Sequence, residues 1–200
     1  MKKSLNDNDK ALRARVRLFG NLLGEVLKEQ TGDHVFDTVE TLRRGFIKLR
    51  TQHSPKLYAK LMTLVRSLDP ATLNFVVRAY NLYFSLVNIA EENHMHQQRR
   101  KQVRRDSHLW QGSFNDTMHE FANQNMSPDD LQTLLNRLIY MPVFTAHPTE
   151  AKRRTVMDLQ RKIFLICVEM DRPNASGVDR DHLLRQAKSV ILSLLKTNGV

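Results

Sequence analysis

The chain has 200 residues, 41% of them hydrophobic and 26% charged, and carries a formal net charge of +10. That is enough apolar material for one or two domains with a real core, while no apolar run approaches the roughly 20 residues of a membrane span. The start, Met-Lys-Lys-Ser-Leu-Asn-Asp, has no signal-peptide core, and the single Cys167 excludes an intrachain disulfide, so a cytoplasmic chain with no membrane partner is expected.

Nearly the whole chain predicts helix. Asn8 or Asp9 caps a first helix with Leu12, Val16, Phe19, Leu23 and Val26 on one face, ending at Gly32. A second runs from about 33 to 50 with Val35, Val39, Leu42, Phe46 and Leu49 as its stripe. Pro55 opens a third, carrying Leu57, Leu61, Leu64 and Val65. Asp69-Pro70 starts a long helix through Leu73, Val76, Val77, Tyr80, Phe84, Val87 and Ala90, which runs on toward the basic cluster Arg99–Arg105. Residues 106–125 have mixed polarity and no clear period, and read as loop with at most one helical turn. Ser127-Pro-Asp-Asp130 is a strong helix start: a capping serine, proline at the first position and acids in the first turn. Its helix carries Leu131, Leu134, Leu135 and Leu138.

The next segment, Met141-Pro-Val-Phe-Thr-Ala-His147-Pro-Thr-Glu-Ala-Lys-Arg153-Arg154-Thr155, changes character. Val143-Phe144-Thr145 reads as a short buried strand opened by Pro142. The residue before a proline is pushed out of the helical region, so His147 ends the strand, and Pro148 suits the first turn of a helix. That helix is expected to run through Val156, Leu159, Ile163 and Ile166, with Arg153 and Arg154 one to two turns in. Helix N-termini and planar guanidinium forks both favour oxyanions. A purely structural turn, with Glu150 and Arg154 as an i,i+4 pair, fits the same spacing. A turn at Arg172–Gly177 then precedes a last helix with Leu183, Leu184, Ala187, Ile191, Leu194 and Leu195. One strand cannot make a sheet, so either the chain is incomplete or the strand pairs with another chain.

Charge of this size can signal a nucleic-acid partner, but no helix-turn-helix, zinc-finger or RNA-binding sheet pattern accompanies the clusters at 99–105 and 152–154. Solvated or internally paired charge is the expected reading, with no nucleic acid. His94 and His96 point in different directions on a helix, His119 and Glu120 have no obvious partner, and no metal-ligand spacing is present. Cys167, inside Ile163-Phe-Leu-Ile-Cys-Val168, reads as a buried small hydrophobe.

The string Phe144-Thr-Ala-His-Pro-Thr-Glu, followed by Arg154-Thr155, resembles an active-site segment of the phosphoenolpyruvate carboxylase family. Upstream stretches resemble the same family in the same order: Leu22-Leu-Gly-Glu, Val39-Glu-Thr-Leu-Arg43, Val77-Arg-Ala-Tyr80 and Leu86-Val-Asn-Ile-Ala-Glu-Glu-Asn-His94. The resemblance implies a mainly α chain: a helical N-terminal region over residues 1–138, then an incomplete α/β barrel over 139–200. The strand at about 142–147 would be the barrel's first. It also implies a lyase that joins phosphoenolpyruvate and bicarbonate into oxaloacetate and phosphate, an anaplerotic step of carbon dioxide fixation feeding the tricarboxylic acid cycle. Mg²⁺ or Mn²⁺ would be the cofactor, with ligands outside this chain, and the full-length protein would form a homo-oligomer, a tetramer. His147 matches the family's essential histidine, and Arg153 and Arg154 match an arginine pair tied to phosphate or effector binding. No metal ligand falls in these residues, so the chain alone is expected to be inactive. The alternative is a stand-alone helical module binding an anionic partner through its basic face.

Overall fold

The computed structural model describes residues 2–105, 112–143, 153–172 and 176–197, and every regular element among them is a helix. In chain order these are α1 (Lys2–Thr31), α2 (Asp33–Thr51), α3 (Pro55–Ser67), α4 (Pro70–Arg105), α5 (Phe114–Asn123), α6 (Pro128–Arg137), α7 (Arg154–Met170) and α8 (Gly177–Thr197). None is long and apolar enough to cross a membrane.

The boundaries follow local chemistry. Gly32 separates α1 from α2 at φ 79, a left-handed conformation that costs glycine nothing. Ser54 caps α3 by accepting from the Leu57 N–H at 3.3 Å, with Pro55 in the first turn. Asp69 accepts from the Ala71 and Thr72 amides at the start of α4, both at 3.0 Å. Ser127 and Asp130 form a complete capping box on α6. Ser176 and Asp179 make the same reciprocal pair at α8: the Asp179 N–H donates to Ser176 Oγ, and the Ser176 N–H to Asp179 Oδ2, both at 3.1 Å.

The chain divides into two compact units, one of residues 1–93 with 153–200, the other of 94–152. The first holds the core. Phe19, Leu22, Leu23, Val26 and Leu27 of α1 recur at helical spacing and meet Ala79, Leu82, Leu86, Ile89 and Ala90 of α4. Ile163, Ile166, Cys167 and Met170 of α7 join them, with Ala187, Ile191, Leu194 and Leu195 of α8. A satellite cluster of Leu42, Leu61 and Val76 binds α2, α3 and α4. Polar ties sit at the rim: Lys188 of α8 reaches Glu25 and Glu29 of α1 at 3.0 and 2.7 Å, and Arg15 of α1 pairs with Asp171 after α7.

The second unit buries little. Among its described residues neither α5 nor α6 has a buried side chain, and Leu138 to Val143 is irregular and exposed.

Several expectations are corrected. Residues 114–123 form a full helix rather than loop: Ser113 accepts from the Asp116 N–H at 3.1 Å, and Phe114, Met118 and Phe121 recur at helical spacing over a stretch of only ten residues. Phe46, Leu73, Val77 and Phe84 sit 40%, 37%, 45% and 59% exposed instead of buried. The core face of α4 runs through 79, 82, 86 and 89–90, and a residue such as Phe84 lies round the helix from it. Leu134, Leu135 and Leu138 are likewise exposed. No strand forms at Pro142 or Val143, because no neighbouring strand supplies a ladder for their backbone groups among the described residues. The rest of the expected strand, 144–147, lies outside the described residues.

Candidate functional site

Of the three residues that the sequence singles out, two are described. His147 lies outside the described residues, as does the turn around it. Arg153 and Arg154 are placed, at a different depth than expected. Arg153 is the N-cap of α7, with extended backbone at φ −54 and ψ 138, and Arg154 is the first helical residue. The helix therefore starts at the arginine pair instead of enclosing it, because a ψ of that size cannot continue a helix.

The consequence is electrostatic. Among the described residues no side chain caps the N-terminus of α7, and its first turn holds no acid. The Arg154 and Thr155 N–H groups, without an acceptor among the described residues, and the positive end of the helix dipole thus coincide with two exposed guanidinium groups. Like charges gathered there have an unfavourable self-energy, which an oxyanion relieves by accepting from backbone N–H and guanidinium donors together. Sequence reading gives the residues; the helix start, which makes them share one end with the backbone donors, is visible only in the fold.

Among the described residues, no three His, Cys, Asp or Glu side chains are grouped so as to hold a metal ion. His119 Nδ1 lies 3.1 Å from the Asn123 amide, and His94 Nε2 3.5 Å from that of Gln98, which are local helix contacts one turn apart. Cys167 is fully buried, and burial pushes its thiol up to about 11, the behaviour of a core residue rather than of a nucleophile.

A second feature escapes sequence reading. The first unit contains a groove of about 680 Å³ between α1 and α2, floored by α4. Its polar centre is Glu40, which accepts from Arg43 at 2.7 and 2.9 Å and from Arg44 at 3.1 Å. The Arg43 bond is the main reason that the Glu40 carboxyl is held below its usual range, against the opposing effect of burial. The Tyr80 hydroxyl donates to the Val39 carbonyl at 3.2 Å, and burial pushes its phenol up to about 12. The signal in the sequence was Gly20 and Gly24, one turn apart inside an amphipathic helix, where glycine carries a cost that packing or function must offset.

The model of the phosphoenolpyruvate carboxylase family matches residues 12–200. Similar curated proteins bear that name. The one from Nitrosomonas europaea is 31% identical over 98% of this chain and 21% of its own length. That from Alcanivorax borkumensis is 34% identical over 94% of the chain and 21% of its length. That from Ralstonia nicotianae is 34% identical over 82% of the chain and 17% of its length. The chain thus spans about a fifth of the length of the curated relatives it matches. A match over nearly the whole chain, at this identity, places it: the chain belongs to the phosphoenolpyruvate carboxylase family.

Proposed function

We propose that this chain supplies the N-terminal helical part of a phosphoenolpyruvate carboxylase, which joins phosphoenolpyruvate and bicarbonate into oxaloacetate and phosphate. The observation that carries the reading is the family match over residues 12–200, which includes Thr145-Ala-His147-Pro-Thr with Arg153-Arg154. His147 accepts the proton of carboxyphosphate as it breaks down to CO₂, a task for a side chain whose charge switches near neutral pH. Arg153 and Arg154, at the open N-terminus of α7, hold a phosphate or an anionic effector. The described residues offer no ligand set for Mg²⁺ or Mn²⁺. We assign the metal's ligands to the rest of a longer polypeptide, so that the 200-residue chain by itself has no carboxylase activity. The complete protein works as a cytoplasmic homo-oligomer.

The test uses the full-length protein and the 200-residue chain side by side. His147→Asn in the full-length protein is expected to lower oxaloacetate formation by a factor of 10² or more, on the order of what a positioned acid–base group contributes, with the circular dichroism spectrum retained. Full activity in that variant overturns the role of His147. Turnover by the 200-residue chain alone overturns the assignment of essential residues to the remainder.

A further inference from the structure

The groove between α1 and α2 has the chemistry of a ligand site and lies on elements that the proposed reaction does not use. Its volume, about 680 Å³, falls within the range of small-molecule pockets. One wall is helix backbone: at Gly20 no side chain intrudes, and an added Cβ would first meet Tyr83 at 3.8 Å. At Gly24 the Phe36 ring packs so close that a Cβ would lie 3.0 Å from it. Tyr80 and Tyr83 give the groove flat walls, surfaces on which a planar ligand body stacks, while the Phe36 ring is already covered by Lys28 Nζ, 5.1 Å from its centroid.

The charges decide the ligand's sign. Arg17, Lys28, Arg43 and Arg44 line the groove, against Glu25 and Glu40. Both carboxylates are already engaged: Glu25 shares the Lys188 ammonium of α8 with Glu29, and Glu40 is held by two guanidinium groups at once. Lys28 pairs with Asp33. Arg17 makes no ion pair among the described residues, and Arg43 and Arg44 share one negative charge between them. The groove is left with uncompensated positive charge. Arg43 is also held in place: Glu40 takes its Nε and Nη2, leaving Nη1 as a donor on an already oriented fork.

We propose that this groove binds a small organic anion with a flat apolar body, its anionic head on Arg17, Arg43 and Arg44 and its body against Tyr83. Titrating phenyl phosphate into the 200-residue chain, once its helical circular dichroism and a cooperative urea melt show it folded, followed by calorimetry or amide chemical shifts, tests it, with inorganic phosphate, benzoate and phenol as comparators. Saturable binding of phenyl phosphate is expected at a Kd of about 1 mM or tighter, weakening as salt rises. Inorganic phosphate should bind more weakly and phenol not measurably. Benzoate binding as well as phenyl phosphate supports the same site with a carboxylate as the head group. Arg17→Gln should weaken binding by about tenfold, the worth of one charge-assisted hydrogen bond. Gly20→Leu, which fills the trough beside Tyr83, should abolish binding without unfolding the helix. Absence of saturable binding overturns the proposal, as does phenol binding as tightly as phenyl phosphate. So does binding that survives Arg17→Gln unchanged, a variant at an exposed position that does not threaten the fold.

Discussion

Gly45 and Gly20 are both helical glycines, and the packing gives them opposite fates. A Cβ at Gly45 would stand 2.6 and 2.7 Å from the two Leu61 methyls, and Leu61 is only 3% exposed. Gly45→Ala must therefore displace a core side chain, and the overpacking cost of about 1–3 kcal/mol exceeds the gain of up to about 1 kcal/mol from helix propensity. At Gly20 the same methyl meets Tyr83 at an ordinary 3.8 Å, so Gly20→Ala keeps most of that gain. Urea unfolding of the two variants should move the midpoint down for the first and up for the second. Two buried acidic groups weaken the fold at alkaline pH. Cys167 is raised from 9.0 to about 11 and Tyr80 from 10.0 to about 12, both by burial. The unfolded chain loses these protons first, so folding stability is intact below pH 9 and falls as the pH climbs from 9 toward 12. Two units at the fully buried thiol correspond to roughly 2–3 kcal/mol. Cys167→Ala should flatten the fall between pH 9 and 11 in a series of urea melts; an unchanged slope would assign that fall to other groups.

At the scale of elements, caps mattered as much as apolar stripes. The helices that were legible from sequence had both a period and a start signal, as at Ser54-Pro55, Asp69-Pro70 and Ser127-Pro128. Helix α5 has a cap, Ser113 with Asp116, and a stripe of Phe114, Met118 and Phe121, but over ten residues between polar neighbours that stripe is too short to stand out. Helix α6 also buries nothing, so its local stability rests on its capping box more than on packing. Ser127→Ala removes the acceptor of the Asp130 N–H, a bond of 3.1 Å, and should cost the helix about 1 kcal/mol. Hydrogen exchange should quicken in residues 128–137 while the amides of α8 keep their protection. Equal acceleration in both would mean that α6 is not an independent cooperative element.

The whole molecule is uneven in what it buries. The first unit closes a core of interlocking α1, α4, α7 and α8 faces, whereas Leu138, Ile139, Tyr140, Met141 and Val143 stand 67–86% exposed in sequence. A contiguous apolar run of that kind is rare on a free surface. The 200-residue chain should therefore bind a hydrophobic dye such as ANS while retaining its helical circular dichroism. Ile139→Glu with Val143→Glu should remove most of that signal; a signal that persists would locate the exposed apolar surface elsewhere, on residues such as Phe84 or Phe46.

The sequence by itself determined the helical class, most helix boundaries and the family, because caps, prolines and the His147 segment are local and tolerate no shift in register. The tertiary structure decided which side of each helix turns inward, as for Phe84 against Leu82 and Leu86 on α4. It also decided that α7 starts at the Arg153–Arg154 pair, and that three separate helices make one cationic groove. Those outcomes depend on contacts between residues far apart in the chain, and periodicity within a single helix carries no information about its neighbours.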